Sequence, residues 1–259
     1  MTVKQLYHAL EERIPRSLSA EWDNDGLSCL PDEKRPLSRV LVALDATEEV
    51  VDLAISGGYD LLLTHHPLLF RGVKALTPCE SVPRKLLKLA RADVAAISFH
   101  TRLDAVEGGV NDILATSLGL SDLHAFAPDG EVPCGRIGTL VAPLDADELA
   151  RRVCEALHVS RVIVSGKGEV RTVAVLGGEG GDFVAAARRA GADAFVSGRI
   201  GYHRMLDAAE DGIILIEAGH FATEVAVCHA LARMVRALDD TLTVDVYTTP
   251  ALREVFAKE

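Results

Sequence analysis

Cysteine and aromatic residues are scarce in this sequence. The five cysteines, Cys29, Cys79, Cys134, Cys154 and Cys228, are isolated along the chain, and no two of them have CxxC spacing. An odd number of isolated cysteines argues against a disulfide framework or a zinc ribbon and favours a reducing compartment. Aromatic residues make up only 5% of the chain, so we expect aliphatic side chains to supply the core.

The sequence also lacks a long apolar run and an excess of positive charge. No apolar run approaches the roughly 20 residues that span a bilayer, and residues 1–15 have the pattern of an amphipathic helix rather than a signal peptide. The 27 Lys and Arg residues against 38 Asp and Glu residues give a net charge of −11, which argues against a surface for duplex nucleic acid. A small anionic substrate is not excluded, since bound cations dominate the field of a metal site. We therefore expect a cytoplasmic protein that does not bind membranes.

Short apolar runs of strand length alternate with stretches of helical periodicity over most of the chain. The predicted strands are residues 40–45, 61–65, 94–100, 173–177, 194–197 and 213–217, and helical patterns cover 48–56, 109–118, 182–190, 203–210 and 224–238. A further strand-helix-strand unit (135–141, 147–158, 161–165) and a last strand (242–248) complete the pattern. Continuous apolar strands that alternate with helices indicate mostly parallel sheets with both faces covered, hence an α/β fold.

Two stretches of the chain repeat one pattern of elements. RVLVALDATEEVVDLAISGGYDLLLTHHPL and RTVAVLGGEGGDFVAAARRAGADAFVSGRIGYH both contain a strand, an acidic turn, a helix, a GxD turn and a strand that ends in polar residues. We interpret residues 40–118 and 171–238 as two similar α/β halves, although convergence of simple βαβ units would produce the same pattern. The expected domains are 1–125, with the HHP and HTxLD motifs, and 126–259, with the GHxxTE motif.

Histidines and acids follow the predicted strands at places where α/β proteins bind ligands. His65 and His66 end one strand, His100 ends the next with Asp104 four residues on, and His220 ends the last with an acid at the same offset, Glu224. Each of these residues alone is typical of an ordinary surface position. Three strand ends that each supply a histidine, two of them with an acid, indicate a metal site instead.

Imidazole and carboxylate ligands suit Zn, Fe, Mn, Ni or Co. The five predicted ligands are His65, His66, Asp104, His220 and Glu224. Because five ligands are more than one ion needs, we predict two divalent ions about 3.5–4 Å apart. We expect Glu224 to bridge them, and we expect the site to lie between the two halves, at the carboxyl ends of the strands.

Other polar segments have weaker claims to function. Arg199 and His203 follow a strand that corresponds to the one ending in His65 and His66, which favours contacts with substrate; a surface arginine that closes the strand and a helix start at His203 are the alternatives. GGEGGD (177–182) lacks the features of a P-loop and is interpreted as a tight turn, with a phosphate contact as the alternative. WDNDGL (22–27) is interpreted as a capped turn that contains a buried tryptophan.

The segments WDNDGL, DLLLTHHPLLF, HTRLDAVEGGVNDILATSLGL and IEAGHFATE resemble the Nif-three-like family, whose members are often described as GTP cyclohydrolase I type 2. The resemblance covers nearly the whole chain. It implies two similar α/β halves, two metal ions bound by the same five residues, and a hexameric ring of subunits around an inner cavity. This chain departs from the family at Arg199, where the family has an acid, and at Asp25, where the family has valine.

The resemblance implies a metal-dependent hydrolase that acts on a nucleotide such as GTP or on a similar small anion. In that reaction a metal-activated water attacks the purine carbon between the two imidazole nitrogens. We expect His100 to transfer protons and Arg199 or His203 to hold the phosphates. A two-metal phosphoesterase and a non-catalytic, metal-carrying ring that binds a protein partner or delivers metal are the alternatives.

Overall fold

The computed structural model describes residues 1–128, 130–253 and 255. The helices in this part of the chain are α1 (Val3–Arg13), α2 (Glu48–Ser56), α3 (Ser81–Arg91), α4 (Thr101–Ala105), α5 (Val110–Ser117), α6 (Ala146–Leu157), α7 (Val184–Arg189), α8 (Tyr202–Glu210), α9 (His220–Glu224) and α10 (Val227–Leu238). The strands are β1 (Gly26–Cys29), β2 (Arg39–Ala43), β3 (Leu61–Thr64), β4 (Ala95–Ser98), β5 (Ser121–Phe126), β6 (Gly135–Asp145), β7 (Ile163–Ser165), β8 (Glu169–Glu179), β9 (Ala194–Arg199), β10 (Ile214–Glu217) and β11 (Thr243–Tyr247). These elements form two compact units.

Unit 1 comprises Met1–Leu10, Asn24–Phe99 and the described residues from Leu231 onward. Its sheet has the strand order β1-β4-β3-β2-β11, in which β1 is antiparallel to β4 and the other neighbours are parallel. All four residues of β3 and of β4 are buried. The continuous apolar runs in the sequence therefore correspond to parallel strands that are covered on both faces.

Unit 2 comprises Glu11–Asp23 and His100–Ala230. Its sheet has the order β5-β6-β8-β9-β10-β7, with β8, β9 and β10 parallel and the other pairs antiparallel. Along β8, Val173 and Val175 face one apolar core, whereas Ala174 and Leu176 face another. Both faces of this sheet are thus buried, and the predicted α/β fold is confirmed.

The GxD turn occurs once in each unit and has the same hydrogen bonds in both. The Asp60 carboxylate accepts hydrogen bonds from the backbone N–H groups of residues 38 and 39 at 2.8 and 2.9 Å. The Asp193 carboxylate accepts from residues 171 and 172 at 3.0 and 2.8 Å. In unit 1 the strand after this turn, β3, lies between the parallel strands β2 and β4, and β4 has the antiparallel strand β1 on its other side. In unit 2 the strand after the turn, β9, lies between the parallel strands β8 and β10, and β10 has the antiparallel strand β7 on its other side. Two similar α/β halves were predicted, and this shared topology agrees with them.

The compact units do not coincide with the expected domains 1–125 and 126–259. The last strand, β11, pairs in parallel with β2 and so belongs to unit 1. The HTxLD segment and α5 belong to unit 2, where α5 packs on β8 and β6. Parallel pairing between distant strands leaves no local signal in the sequence, which is why the last strand was assigned to the second half.

Most predicted elements match the observed ones to within a few residues. The single helix expected over 224–238 is instead two helices, α9 and α10. The pattern over 182–190 is a 3-10 turn, Gly181–Phe183, followed by α7. Within the described residues, no helix has the length and apolar character needed to cross a bilayer.

Candidate metal centre

His65 and His66 directly follow β3, where the chain still hydrogen-bonds to the neighbouring strand segment. The backbone N–H groups of His65 and His66 donate to the carbonyl oxygens of Ala43 and Leu44 at 3.3 and 2.9 Å. Although successive residues of a regular strand face opposite ways, the two imidazole centroids are only 4.8 Å apart. The end of the strand therefore places the two rings side by side.

Each of these imidazoles is fixed through its Nδ1 atom. His65 Nδ1 lies 2.9 Å from the Phe99 carbonyl oxygen, and His66 Nδ1 lies 2.7 Å from an Asp45 carboxylate oxygen. Because these oxygens accept hydrogen bonds, Nδ1 is the donor, and Nε2 of the neutral ring carries the lone pair. Histidines that bind metals through Nε2 are oriented by such hydrogen bonds. Sequence reasoning missed Asp45, whose only signal was its place at the end of a strand.

His220 and Glu224 lie one turn apart on α9. His220 Nε2 is 3.1 Å from Glu224 Oε2, and Glu224 is only 4% exposed. The Thr223 hydroxyl donates to the His220 carbonyl oxygen at 2.8 Å and accepts from the Gly178 N–H at 3.1 Å. The short helix is therefore tied to the end of β8, and the predicted pairing of histidine and acid on one helical face is present.

The glycines at the end of β8 make room for the Glu224 carboxylate. A Cβ atom at Gly178 would lie 2.3 Å from Glu224 Oε1 and 3.1 Å from His220 Nε2, and one at Gly177 would lie 3.0 Å from Glu224 Cγ. Gly178 also has φ +66°, a conformation that favours glycine. The GGEGGD segment thus has a structural function toward Glu224 that neither interpretation of its sequence included.

Asn111 connects the Asp104 segment to the same pair of glycines. Its Nδ2 donates to the carbonyl oxygens of Asp104 and Cys134 at 3.2 and 2.9 Å, and its Oδ1 accepts from the Gly177 N–H at 2.7 Å. Asn111 is itself fully buried, and its side-chain amide satisfies these three backbone groups while they satisfy it in turn. The signal that could have revealed it is a polar residue on the apolar face of α5.

His100 is held by Asp23, the second residue of the WDNDGL motif. His100 Nδ1 lies 3.0 Å from Asp23 Oδ1, and Asp23 Oδ2 accepts from the Thr101 N–H at 3.0 Å and from its hydroxyl at 2.6 Å. Burial disfavours the charged form of Asp23, but the hydrogen bonds from His100 and Thr101 outweigh it and lower the pKa from 3.8 to about 2. Asp23 is thus ionised at neutral pH and orients His100.

Trp22 corrects an expectation from the sequence. Its indole is 60% exposed rather than buried, and its ring lies edge-on to the His100 ring at a centroid distance of 6.1 Å. The WDNDGL motif therefore does not bury its tryptophan in the core. It supplies the carboxylate of Asp23, which is buried.

Arg199 and His203 lie near the end of β9. Arg199 is the last residue of β9, with Nε 3.8 Å from Glu179 Oε2 and a side chain that is 71% exposed. His203 is an exposed residue in the first turn of α8, in ring contact with Tyr202. A Cβ at Gly198, just before Arg199, would lie 2.8 Å from His220 Cα. The backbone beside Arg199 therefore packs on the α9 segment, while substrate contacts by Arg199 and His203 stay predictions.

Several side chains in the described residues could hold a metal ion. They are His65, His66, His100, Asp104, His220 and Glu224. Their donor atoms are imidazole nitrogens and carboxylate oxygens, which suit Zn, Fe, Mn, Ni or Co. In unit 2, the space that Gly178 leaves around the Glu224 carboxylate fits such an ion. In unit 1, the Nδ1 hydrogen bonds of His65 and His66 make Nε2 the ligand atom of each ring.

The chain matches known proteins over almost its whole length. A family model described as Duf34/NIF3 (NGG1p interacting factor 3) matches residues 1–253. A Clostridium perfringens (strain 13 / Type A) protein named GTP cyclohydrolase 1 type 2 homolog is 32% identical over 241 residues, which cover 91% of this chain and 92% of that protein. A Streptomyces coelicolor protein of the same name is 34% identical over 248 residues, which cover 92% and 87%. The crystal structure of Staphylococcus aureus protein SA1388 matches with a TM-score of 0.88 at 26% identity, over 99% of each chain.

The Asp23 carboxylate should make stability depend on pH. The folded-state pKa of Asp23, about 2, lies below its ordinary value of 3.8. The contribution of Asp23 to the free energy of unfolding is therefore complete above about pH 4 and is lost as the pH falls through 2. The shift corresponds to about 2 kcal/mol. We expect Asp23→Asn to lower the free energy of unfolding by about that amount at pH 7, and about half of the difference should be gone near pH 3. Urea unfolding at both pH values measures it. The exposed Asp240→Asn is the control, and a difference that does not change with pH would contradict the assignment.

Proposed function

The chain belongs to the Duf34/NIF3 family, and on that basis we propose that it binds two divalent metal ions and hydrolyses a nucleotide or a similar small anion. The proposed metal ligands are the five predicted from the sequence: His65, His66, Asp104, His220 and Glu224. The proposal of a nucleotide substrate is supported by relatives that carry the name GTP cyclohydrolase 1 type 2 homolog. The hydrogen bonds and the space around Glu224, His65 and His66 support the metal-binding part of the proposal.

The observation that carries the proposal is the buried Glu224 carboxylate in the space left by Gly178. An ionised carboxylate that is removed from water needs a cation or several hydrogen bonds to offset the lost hydration. The adjacent His220 Nε2, at 3.1 Å from Glu224 Oε2, can supply a second ligand atom to the same cation. A glycine in a left-handed conformation at position 178 keeps this space open, which is consistent with a binding site and has no obvious value for core packing.

The histidines of unit 1 support the proposal independently. Hydrogen bonds to the Phe99 carbonyl and to Asp45 place the lone pairs of His65 and His66 on Nε2. Such a carboxylate or carbonyl partner fixes the ring and raises the basicity of the ligand nitrogen. Asp45 is accordingly proposed to be a positioning residue for His66.

In the proposed reaction, His100 moves a proton. Divalent ions at this site would supply Lewis acidity, which lowers the pKa of water toward about 7. Asp23 keeps the Nδ1 proton of His100 in place, so Nε2 is the atom that accepts and releases the proton. Hydrogen bonds to Thr101 in turn hold Asp23 in position.

Metal content tests the ligand assignment. We expect the gently purified protein to carry close to two transition-metal ions per chain, measured by elemental analysis. Glu224→Ala should lose more metal than His65→Ala, because a bridging carboxylate serves both ions. Gly178→Ala should weaken metal binding by about 10–100-fold, the range for disturbed ligand support, because its Cβ would displace the carboxylate.

Gly58, in the turn between α2 and β3, provides the matched control for Gly178→Ala. Gly58 has the same φ of +66°, and a Cβ there would meet nothing within 4 Å. Gly58→Ala therefore introduces a similar backbone strain without contact to a ligand, and it should retain its metal. A parent protein that binds no metal, even after reloading, would refute the proposal.

Turnover distinguishes the hydrolase from its alternatives. We expect the metal-loaded protein to hydrolyse a nucleotide, with GTP as the first choice, and His100→Gln to lose this activity while it keeps its metal. Opening of the purine ring changes the ultraviolet spectrum, whereas release of phosphate would indicate a phosphoesterase. Metal-loaded protein that leaves every nucleotide intact would favour the non-catalytic ring that binds a protein partner or delivers metal.

Arg199 is proposed to contact the substrate, together with His203. A guanidinium cannot bind a cation, but it can hold a phosphate or carboxylate through two hydrogen bonds. Arg199→Ala should leave the metal content intact and weaken binding of GTP by about 1.5–3 kcal/mol, and Arg199→Lys should recover part of the loss. Calorimetry on the metal-loaded protein measures both. Unchanged binding in both variants would give Arg199 a structural role beside Glu179.

We also propose that six subunits form a ring, as the family resemblance implies. Static light scattering at micromolar concentration should give a mass close to six chains. A mass near that of a single chain, 27.7 kDa, would contradict the ring.

A further inference from the structure

A cavity of about 940 Å³ opens beside the His66 ring within unit 1. Its lining includes His66 and Asp45, the loop that follows His66, the first turn of α3, and Leu252. Binding sites for small molecules have volumes of roughly 300–1,000 Å³. The size of the cavity therefore suits a ligand as large as a nucleotide, with one end beside a proposed metal ligand.

Three cationic side chains line this cavity. They are Arg71, Lys74 and Lys85. Lys85 is half-buried and donates from Nζ to the Ala46 carbonyl oxygen at 2.6 Å, which fixes its ammonium group at the wall. Burial lowers the pKa of Lys85, while Glu48 and Asp45 oppose that change.

Two acidic side chains, Asp45 and Glu80, also belong to the lining. Asp45 is hydrogen-bonded to His66. Three cations against two carboxylates leave an excess of positive charge in a chain whose net charge is −11. The local charge thus favours an anion although the protein as a whole repels one.

The first turn of α3 adds hydrogen-bond donors to the cavity wall. The N-cap residue, Glu80, makes no side-chain cap hydrogen bond, and Ser81 and Val82 of the first turn line the cavity. Backbone N–H groups at a helix start have no partner within the helix and lie at its positive end. Arg84 and Lys88 bind Glu48 of α2 at 2.7 and 2.9 Å, so this wall is held in position.

The remaining lining is apolar and belongs in part to a long loop. Residues 65–80, between β3 and α3, contain no helix or strand, and an ordered connection of this length is often a binding loop or a lid. Phe70 and Val73 of this loop are exposed apolar side chains in the cavity lining. Cationic groups together with an exposed aromatic ring match a ligand that carries both phosphate and a flat aromatic ring.

We propose that this cavity is a phosphate-binding site, in which Arg71, Lys74 and Lys85 bind the polyphosphate of a nucleoside triphosphate. The aromatic ring of Phe70 contacts the nucleoside. The identification of this nucleotide as the substrate rests on the proposed function, whereas binding of the phosphates does not. Arg199 and His203 belong to unit 2 and do not line this cavity, so this proposal replaces the expectation that they hold the phosphates, and their proposed contacts with the substrate would involve another part of the nucleotide.

Calorimetric titration with inorganic triphosphate tests the site without a base or a reactive carbon. We expect the purified 259-residue chain to bind triphosphate at about 100 mM salt. Arg71→Gln and Lys85→Gln should each weaken the affinity about tenfold or more, as for a charged hydrogen bond. Lys85→Arg should restore part of the loss. Arg91→Gln is the matched control, because Arg91 is an exposed cation at the far end of α3 and is not part of the lining.

Elemental analysis of the same samples separates this proposal from the metal proposal. Cavity variants that lose triphosphate binding at unchanged metal content support the phosphate site. Parent protein that does not bind triphosphate, or cavity variants that bind it as Arg91→Gln does, would overturn the site whatever the metal content. The exposed position of Arg71 makes Arg71→Gln informative even if Lys85→Gln fails to fold.

Discussion

The accommodation of one buried carboxylate, that of Glu224, constrains the structure around the candidate metal centre of unit 2. Gly177 and Gly178 leave the space for it, and Thr223 ties the helix that carries it to β8. Asn111 binds the N–H group of the same glycine pair and the carbonyl of Asp104. Displacement of the carboxylate would therefore disturb the end of β8, α9 and the Asp104 segment together. Such interdependence is expected where fully buried polar groups satisfy one another.

A repeated βαβ pattern brings the reactive side chains to strand ends in both units. In each unit the aspartate of the GxD turn accepts hydrogen bonds from two backbone N–H groups in or just before the neighbouring parallel strand, which ties the turn to that strand. The residues that follow those strands then differ between the units. In unit 1 two adjacent histidines, His65 and His66, follow β3, whereas the corresponding strand of unit 2, β9, ends in Arg199. The histidine and the acid of unit 2 follow the next strand, β10. Both arrangements are consistent with ligand chemistry that resides in strand-end segments rather than in the core.

The five candidate ligands could be proposed from the sequence because each lies on a segment that directly follows a strand whose apolar pattern is evident in the sequence. Their supporting residues could not be predicted, because the contacts join distant parts of the chain. Asp23 and His100 are 77 residues apart, and Asn111 and Gly177 are 66 residues apart. Neither pair leaves a periodic signal. The same reason explains why the sequence did not indicate that β11 pairs with β2, and the exposure of Trp22 shows that residue type alone did not determine burial.

We propose above all that the Nε2 atoms of oriented histidines and the carboxylates of Asp104 and Glu224 bind two metal ions. Anomalous diffraction from crystals of the metal-loaded protein, recorded at the absorption edge of the bound metal, tests it most directly. The account predicts two anomalous peaks, with His65 and His66 bonded through Nε2, their Nδ1 atoms still on Phe99 and Asp45, and Glu224 bonded to both ions. A single peak away from Glu224, or ligation through Nδ1 of either histidine, would contradict it.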